Sequence, residues 1–363
     1  MKISVSLEKL KRGLLVLDKI VASKSTLPIL NNVLIKVDEN QVILSATDLE
    51  MGISYYLGGK IEQPGSITVP GRVLSSFVGS LVEDKIELED RESILYAKTD
   101  KSEANLNGMP ADEFPSIPEV KGKEVLEIDG NLLKSAINQV GFAASFDESR
   151  PILTGVYFVV GNNTLKLAAT DSYRLAEKVL SVPTKEEAKF IVPIKTIQEI
   201  YRVISGGEKI KITVSDNQIM FSFPDMDLVS RVIEGEYPDY TQVIPKNFKT
   251  KAIVSAHDLL GVVKTASFFA RESANNVKLT FGKGGINVEA SSSQLGNFKS
   301  SVSAEVTGDD NEIGFNARYV LDALNGIGGE SVAVEMVGKL NPGLIRPADE
   351  KSGLTYIIMP LRS

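Results

Sequence analysis

Apolar residues at Leu7, Leu10, Leu14, Leu17 and Val21 recur at steps of three and four, which marks one buried face of an amphipathic helix close behind the first residues. The same spacing returns at Leu133, Ala136, Ile137 and Val140, and again at Leu259, Leu260, Val263 and Ala266. Behind each helix the pattern changes to short alternating runs rich in β-branched residues: NNVLIKV and QVILSAT, then GVYFVV and TLKLAAT, then NVKLTF and GINVEA. Gly, Asn and Asp separate these runs, so they read as antiparallel strands joined by tight turns. Second helices are expected over residues 72–82, 194–205 and 316–327, followed by further strands such as KIELED, ILYAKT, KIKITVS and IMFSF.

These elements form a threefold repeat. Thr47 and Asp48 recur as Thr170 and Asp171, a step of 123, and Phe114-Pro115 recurs as Tyr237-Pro238 at the same step. The segments ITVPGRVLSSF, FIVPIKTIQEI and IGFNARYVLDA place Val69, Val192 and Phe315 at equal steps of 123. Repetition at this scale makes each repeat one structural unit. The expected fold is α+β: three repeated domains, each with two helices laid on one face of curved antiparallel sheets. The stretches MPADEFPSIPEVKGKE and EGEYPDYTQVIPKNFKTK are rich in Pro and charge, which sets expected domains at 1–120, 121–248 and 249–363.

Composition narrows the chemistry. The 363 residues contain no Cys and one His, His257, which excludes disulfides, thiolate nucleophiles and multi-His zinc sites; no metal or cofactor is expected. No apolar run approaches the roughly 18 residues of a membrane span, so no membrane partner and a cytoplasmic location are expected. The net charge of −7 argues against nucleic acid until its distribution is considered. The six expected helices carry ten basic residues against five acidic, among them Lys9, Lys11, Arg12, Lys19, Arg72, Lys134, Lys195 and Arg202. They sum to +5, which leaves −12 for the rest of the chain. Basic helices within an acidic exterior suit phosphate contacts to duplex DNA without base readout, although helices also simply favour Lys and Arg.

The strings SFDESRPILTGV, AATDSYRLA, EGEYPDYTQVIP, FNARYVLDAL and YIIMPLR closely resemble those of the bacterial DNA sliding clamp family, the beta subunit of DNA polymerase III, in the family's order and over the whole chain. The resemblance implies a head-to-tail homodimer whose six domains close into a ring, with helices lining a hole for double-stranded DNA. It implies a non-catalytic processivity factor, found with the nucleoid. Its implied partners are the replicative DNA polymerase catalytic subunit, a clamp loader ATPase, and other DNA polymerases and repair proteins carrying clamp-binding peptides. Open sheet edges at both ends of the chain fit such closure, since pairing with a second copy removes them.

The resemblance also implies sites. A groove for short peptides ending in Leu and Phe would comprise Leu153, Thr170, Ser172, Tyr173, Arg174 and Leu175 from the central repeat. Pro238, Val243, Asn316 and Tyr319 would join them, with Ile357, Met359, Pro360, Leu361 and Arg362 from the end of the chain. Tyr173 stands where enterobacterial members have His, and Ser363 where they have a terminal Leu. Lys24, Arg150 and Lys195 match basic positions that face DNA, while Arg72, Lys134, Lys264 and Arg318 are suggested by helical pattern alone. Phe268 and Phe269 match apolar positions at the dimer contact. Each group has a plainer reading: Leu153, Leu175, Val243 and Ile357 as core, the cations as solvated surface, the two Phe as a wide buried face.

Asp48 and Asp171 read as turn residues, because nothing beside them supplies a nucleophile, base or metal shell. His257 reads as a helix-start residue. GKGGIN and ISGGEK lack the spacing of a phosphate loop, so ATP for loading would come from a separate protein. Two rival functions remain open in the sequence: a repeat-built scaffold that binds peptides without encircling DNA, and a carboxylate-based hydrolase.

Overall fold

The computed structural model describes residues 1–21 and 27–361, and among these the chain forms six α-helices and 26 strands. The helices are α1 (Leu7–Leu17), α2 (Gly71–Ser80), α3 (Gly130–Val140), α4 (Ile194–Val203), α5 (Ala256–Ala270) and α6 (Ala317–Ile327). Each begins directly where a strand ends. Ser6 Oγ accepts from the Lys9 amide at α1, Ser255 Oγ from Asp258 at α5 and Asn316 Oδ1 from Arg318 at α6, so the last strand residue serves as the cap of the helix. α6 stops at Gly328, whose φ of 62° is the left-handed conformation a glycine adopts without cost. The expected apolar faces are buried, Leu10, Leu17, Leu133, Val140, Leu259 and Val263 completely so, except that Leu260 is only half-buried.

By contact density the chain divides into two compact units: Met1–Asn131 with Gln198–Val232, and Leu132–Ile197 with Ile233–Ser363. The first unit holds a five-stranded and an eight-stranded sheet. In the larger one, Met226–Arg231 of the central repeat pairs antiparallel with Met51–Leu57 of the first, placing Leu228 opposite Ile53. Strand pairing thus runs across the repeat boundary, which is why contacts do not divide the chain into three. α1 packs on α2 and on Met51–Leu57.

The second unit repeats this joint. Its nine-stranded sheet runs in the order Ala188–Pro193, Gly155–Gly161, Thr164–Thr170, Arg174–Ser181, Leu354–Ile358, Gly343–Pro347, Ser331–Met336, Thr250–Ser255, Ala304–Gly308. Arg174–Ser181 and Leu354–Ile358 are antiparallel, with Leu175 opposite Ile357. A four-stranded sheet, Gly296–Val302, Gly285–Ser292, Asn276–Gly282, Asn311–Asn316, packs against α5, which also packs on α6. Gly326 lets α6 approach Leu354–Ile358 closely: a methyl group there would collide with Tyr356 Oη, which donates to the Gln139 carbonyl at 2.8 Å. Among the strands that end these sheets are Glu103–Asn107 in the five-stranded sheet and Gly296–Val302 in the four-stranded one.

Candidate partner-binding groove and nucleic-acid contacts

The turn between Thr164–Thr170 and Arg174–Ser181 is built by local side-chain chemistry. Thr170 Oγ1 donates to the Arg174 carbonyl at 2.6 Å, and Asp171 Oδ1 accepts from the amides of Tyr173 and Arg174, both at 2.9 Å. Ser172 is held at a φ of 77°. The first repeat makes the same turn: Thr47 Oγ1 donates to the Met51 carbonyl, Asp48 Oδ1 accepts from Glu50 and Met51, and Leu49 also has a φ of 77°. Both Asp residues therefore act as turn formers, and no cluster of three or more metal-ligating side chains occurs among the described residues.

Arg174 is fixed on every side. Its Nε donates to Asp171 Oδ2 at 3.0 Å, its Nη1 to Asp322, and its Nη2 to the Phe142 carbonyl at 2.7 Å. The guanidinium lies 4.6 Å from the Tyr319 ring centroid and 5.2 Å from that of Phe142, and only 12% of the side chain is exposed. Phe142 and Asp322 were not anticipated; their only sequence signal was an aromatic and an acid near helix ends. Burial raises the Tyr319 phenol pKa, with Asp171 adding to the effect, so the ring stays neutral beneath the cation.

Beside this turn lies an apolar floor. Leu153, Leu175 and Ile357 pack with Leu344, Tyr237 and Tyr240 in one cluster. Tyr237 stacks on Tyr157 at 4.7 Å, and Tyr240 Oη donates to Glu177 at 2.6 Å. Burial first, and then Glu177, raises the Tyr240 pKa. Leu153, Leu175 and Ile357 are buried, as their plainer reading as core residues expects, whereas Val243 is not. Tyr173 is 59% exposed and Val243 36%, while Pro238 is exposed at the rim.

The chain end lies against the same turn. The Met359 amide donates to the Tyr173 carbonyl at 2.9 Å and the Leu361 amide to that of Gly314 at 2.8 Å, so Met359, Pro360 and Leu361 lie half-buried along the strand before α6. Asn316, the α6 cap, and Tyr319 complete this side. Thus all the expected groove residues are gathered in the second unit, except Arg362, which lies outside the described residues.

Models of the N-terminal, central and C-terminal domains of the DNA polymerase III beta subunit match residues 1–118, 127–239 and 241–362. The chain belongs to the beta sliding clamp family. It is 34% identical over 358 residues to the beta sliding clamp of Staphylococcus epidermidis and 33% identical to that of Staphylococcus aureus, covering 95% of each chain. The DNA polymerase sliding clamp of Bacillus subtilis superimposes with a TM-score of 0.95 at 31% identity, covering 100% of this chain and 99% of that one. The protein is therefore a DNA sliding clamp, a non-catalytic processivity factor rather than a hydrolase or a scaffold that leaves DNA free.

The remaining expected residues lie on several elements. Lys195 is exposed as the second residue of α4, and Arg72, Lys264 and Arg318 are exposed on α2, α5 and α6. Arg150 donates to Ser172 Oγ at 3.0 Å and pairs with Asp147 at 3.4 Å, which places it beside the groove turn. Arg202 is occupied within the first unit: it binds Glu199 and the carbonyls of Leu15 and Val16, closing the last turn of α1. Lys24 lies outside the described residues. Phe268 is 48% exposed beneath the Arg271 guanidinium, and Phe269 is half-buried and stacked on Phe298 at 5.7 Å. The adjacent Phe pair thus separates into one exposed and one packed ring, as helical geometry requires.

Proposed function

We propose that two copies of this chain join head to tail, the Glu103–Asn107 edge of one adding to the Gly296–Val302 edge of the other, with Phe268 and Phe269 beside the new pairing. Inner-face Ala104 and Leu106 on the first edge and Phe298 on the second are half-buried, so the pairing would complete their burial. The closed ring would hold duplex DNA topologically and, in the bacterial cytoplasm, be opened by a clamp loader ATPase. Lys24, Arg150 and Lys195 are proposed as DNA contacts; among the described residues no helix is long and apolar enough to cross a membrane.

The apolar cluster of Leu153, Leu175, Leu344 and Ile357, beside the turn at Thr170–Arg174, is proposed together with Met359–Leu361 to anchor the Leu-Phe end of peptides carried by DNA polymerases and repair proteins. The carrying observation is the immobilised Arg174, which holds the Thr170–Arg174 turn in place before any ligand arrives and so lowers the ordering cost of binding. Met359→Ala with Leu361→Ala should weaken a fluorescent partner peptide by about ten-fold or more while leaving the dimer intact in sedimentation, as truncation of apolar anchors does. Unchanged peptide affinity would remove this assignment.

A further inference from the structure

The first unit carries its own copy of the scaffold around the proposed groove. Subtracting the repeat step of 123 takes the Thr170 turn to the Thr47 turn, Tyr173 to Glu50, Leu175 to Gly52 and Pro238 to Pro115. The main chain closes in the same way. The Arg231 amide donates to the Glu50 carbonyl at 3.0 Å, as the Met359 amide does to the Tyr173 carbonyl at 2.9 Å, so Arg231 holds the place of Met359. An open cavity of about 340 Å³ lies at this place, inside the first unit and within the roughly 300–1,000 Å³ of ordinary ligand sites.

Its side chains differ from those of the groove. Leu49, Met51, Pro115, Ile117 and Val229 give it an apolar lining with no aromatic ring, whereas Tyr237 and Tyr240 belong to the cluster in the second unit. Gly52 bears no side chain, and Ile117 Cγ1 lies 2.8 Å from where a Cβ would stand, so Ile117 takes up the space a side chain there would need. Leu49 is 49% exposed and held at a φ of 77°, a region sparsely populated by residues with a side chain. Glycine would suit the turn better, but only a side chain gives the cavity an apolar wall. Arg231 is exposed and makes no ion pair among the described residues; Glu50 lines the same cavity.

We propose that this cavity is a second peptide site, which takes a short segment with an aliphatic side chain beside a carboxylate. The aliphatic group lies against Leu49, Met51 and Val229, and the carboxylate meets Arg231. That the ligand is a peptide rests on the groove reading above, since it is taken over from the shared scaffold. The aliphatic preference comes from the ring-free lining, and the acidic one from a cation standing where the groove has Met359. Because Glu50 is also present, the preference belongs to a carboxylate placed at Arg231 and is read by changing Arg231 alone.

The test uses the full-length protein with its Met methyl groups labelled with carbon-13, so that Met51 reports on the cavity and Met359 on the groove in separate NMR signals. The probes are capped peptides Asp-Leu-Leu-Asp, Ala-Leu-Leu-Ala and Lys-Leu-Leu-Lys, with a peptide ending in Leu-Phe for the groove. Titration of the acidic peptide should move the Met51 signal, with an affinity about two- to five-fold above the alanine peptide, as an exposed ion pair of ordinary strength gives, and added salt should shrink the difference. Arg231→Glu should reverse the order of the acidic and basic peptides. Leu49→Gly should weaken all three while leaving the melting temperature unchanged or raised, because glycine adopts the turn conformation freely. A still Met51 signal, or peptide affinities unmoved by both variants, would overturn the cavity. If Met359 nevertheless moves with the Leu-Phe peptide, the groove stands without it; if Met359 alone stays still, the groove reading falls and the cavity remains.

Discussion

Arg174 shows how much of the candidate site depends on one side chain. Its fork joins the turn that presents Tyr173 to the end of α3 through the Phe142 carbonyl and to α6 through Asp322. Lysine carries the same charge but cannot reproduce three directed contacts and two ring contacts. Arg174→Lys should lower unfolding stability by about 1.5–3 kcal/mol, the range for hydrogen bonds to charged groups, and should weaken the partner peptide as well. Urea unfolding and anisotropy on the same preparation check both; unaltered values in both would show that the fork is incidental. The turn itself was legible in the sequence, because Thr-Asp chemistry acts within four residues and occurs twice. Arg174's partners were not, since Phe142 lies 32 residues away and Asp322 148. No local pattern encodes a contact at such separations.

Among elements, the helices were the most legible. Their 3.6-residue periodicity is intrinsic, and the expected spans 194–205 and 316–327 end within two residues of Ile194–Val203 and Ala317–Ile327. The division into two compact units was not legible, because the strand Met226–Arg231 carries no mark of its pairing with a strand of the first repeat. Close approach of elements was equally hidden: Gly326 reads as a weak helix residue, yet it makes room for the buried hydroxyl of Tyr356. Gly326→Ala, a better helix former, should therefore destabilise the chain by about 1–3 kcal/mol, as overpacking does. A raised melting temperature would show instead that α6 can shift outward.

The same scale governs assembly. Phe268 is exposed at the end of α5, next to the Phe269–Phe298 stack on the unpaired edge Gly296–Val302. If this edge is the dimer contact, Phe268→Ala should weaken self-association about ten-fold or more without loss of helix content, as loss of a central aromatic contact does. Sedimentation velocity over a concentration series measures it. An unchanged dissociation constant would place the partner surface elsewhere.

For the whole molecule, the governing fact is that an acidic protein of net charge −7 acts on DNA. Tight charge-driven binding does not suit that balance, whereas a ring needs only a weak, sequence-independent contact because topology prevents escape. The threefold repeat was legible from spacing, whereas the ring entered only through the resemblance of strings such as SFDESRPILTGV and YIIMPLR to the sliding clamp family. What distinguishes the account from ordinary DNA binding is the demand for a closed path around the duplex. Nicked circular plasmid loaded by a compatible bacterial clamp loader with ATP, then cut once by a restriction enzyme, tests that demand directly. The account predicts protein retained on the circle through gel filtration and lost after the cut; equal retention on circular and linear DNA would contradict it.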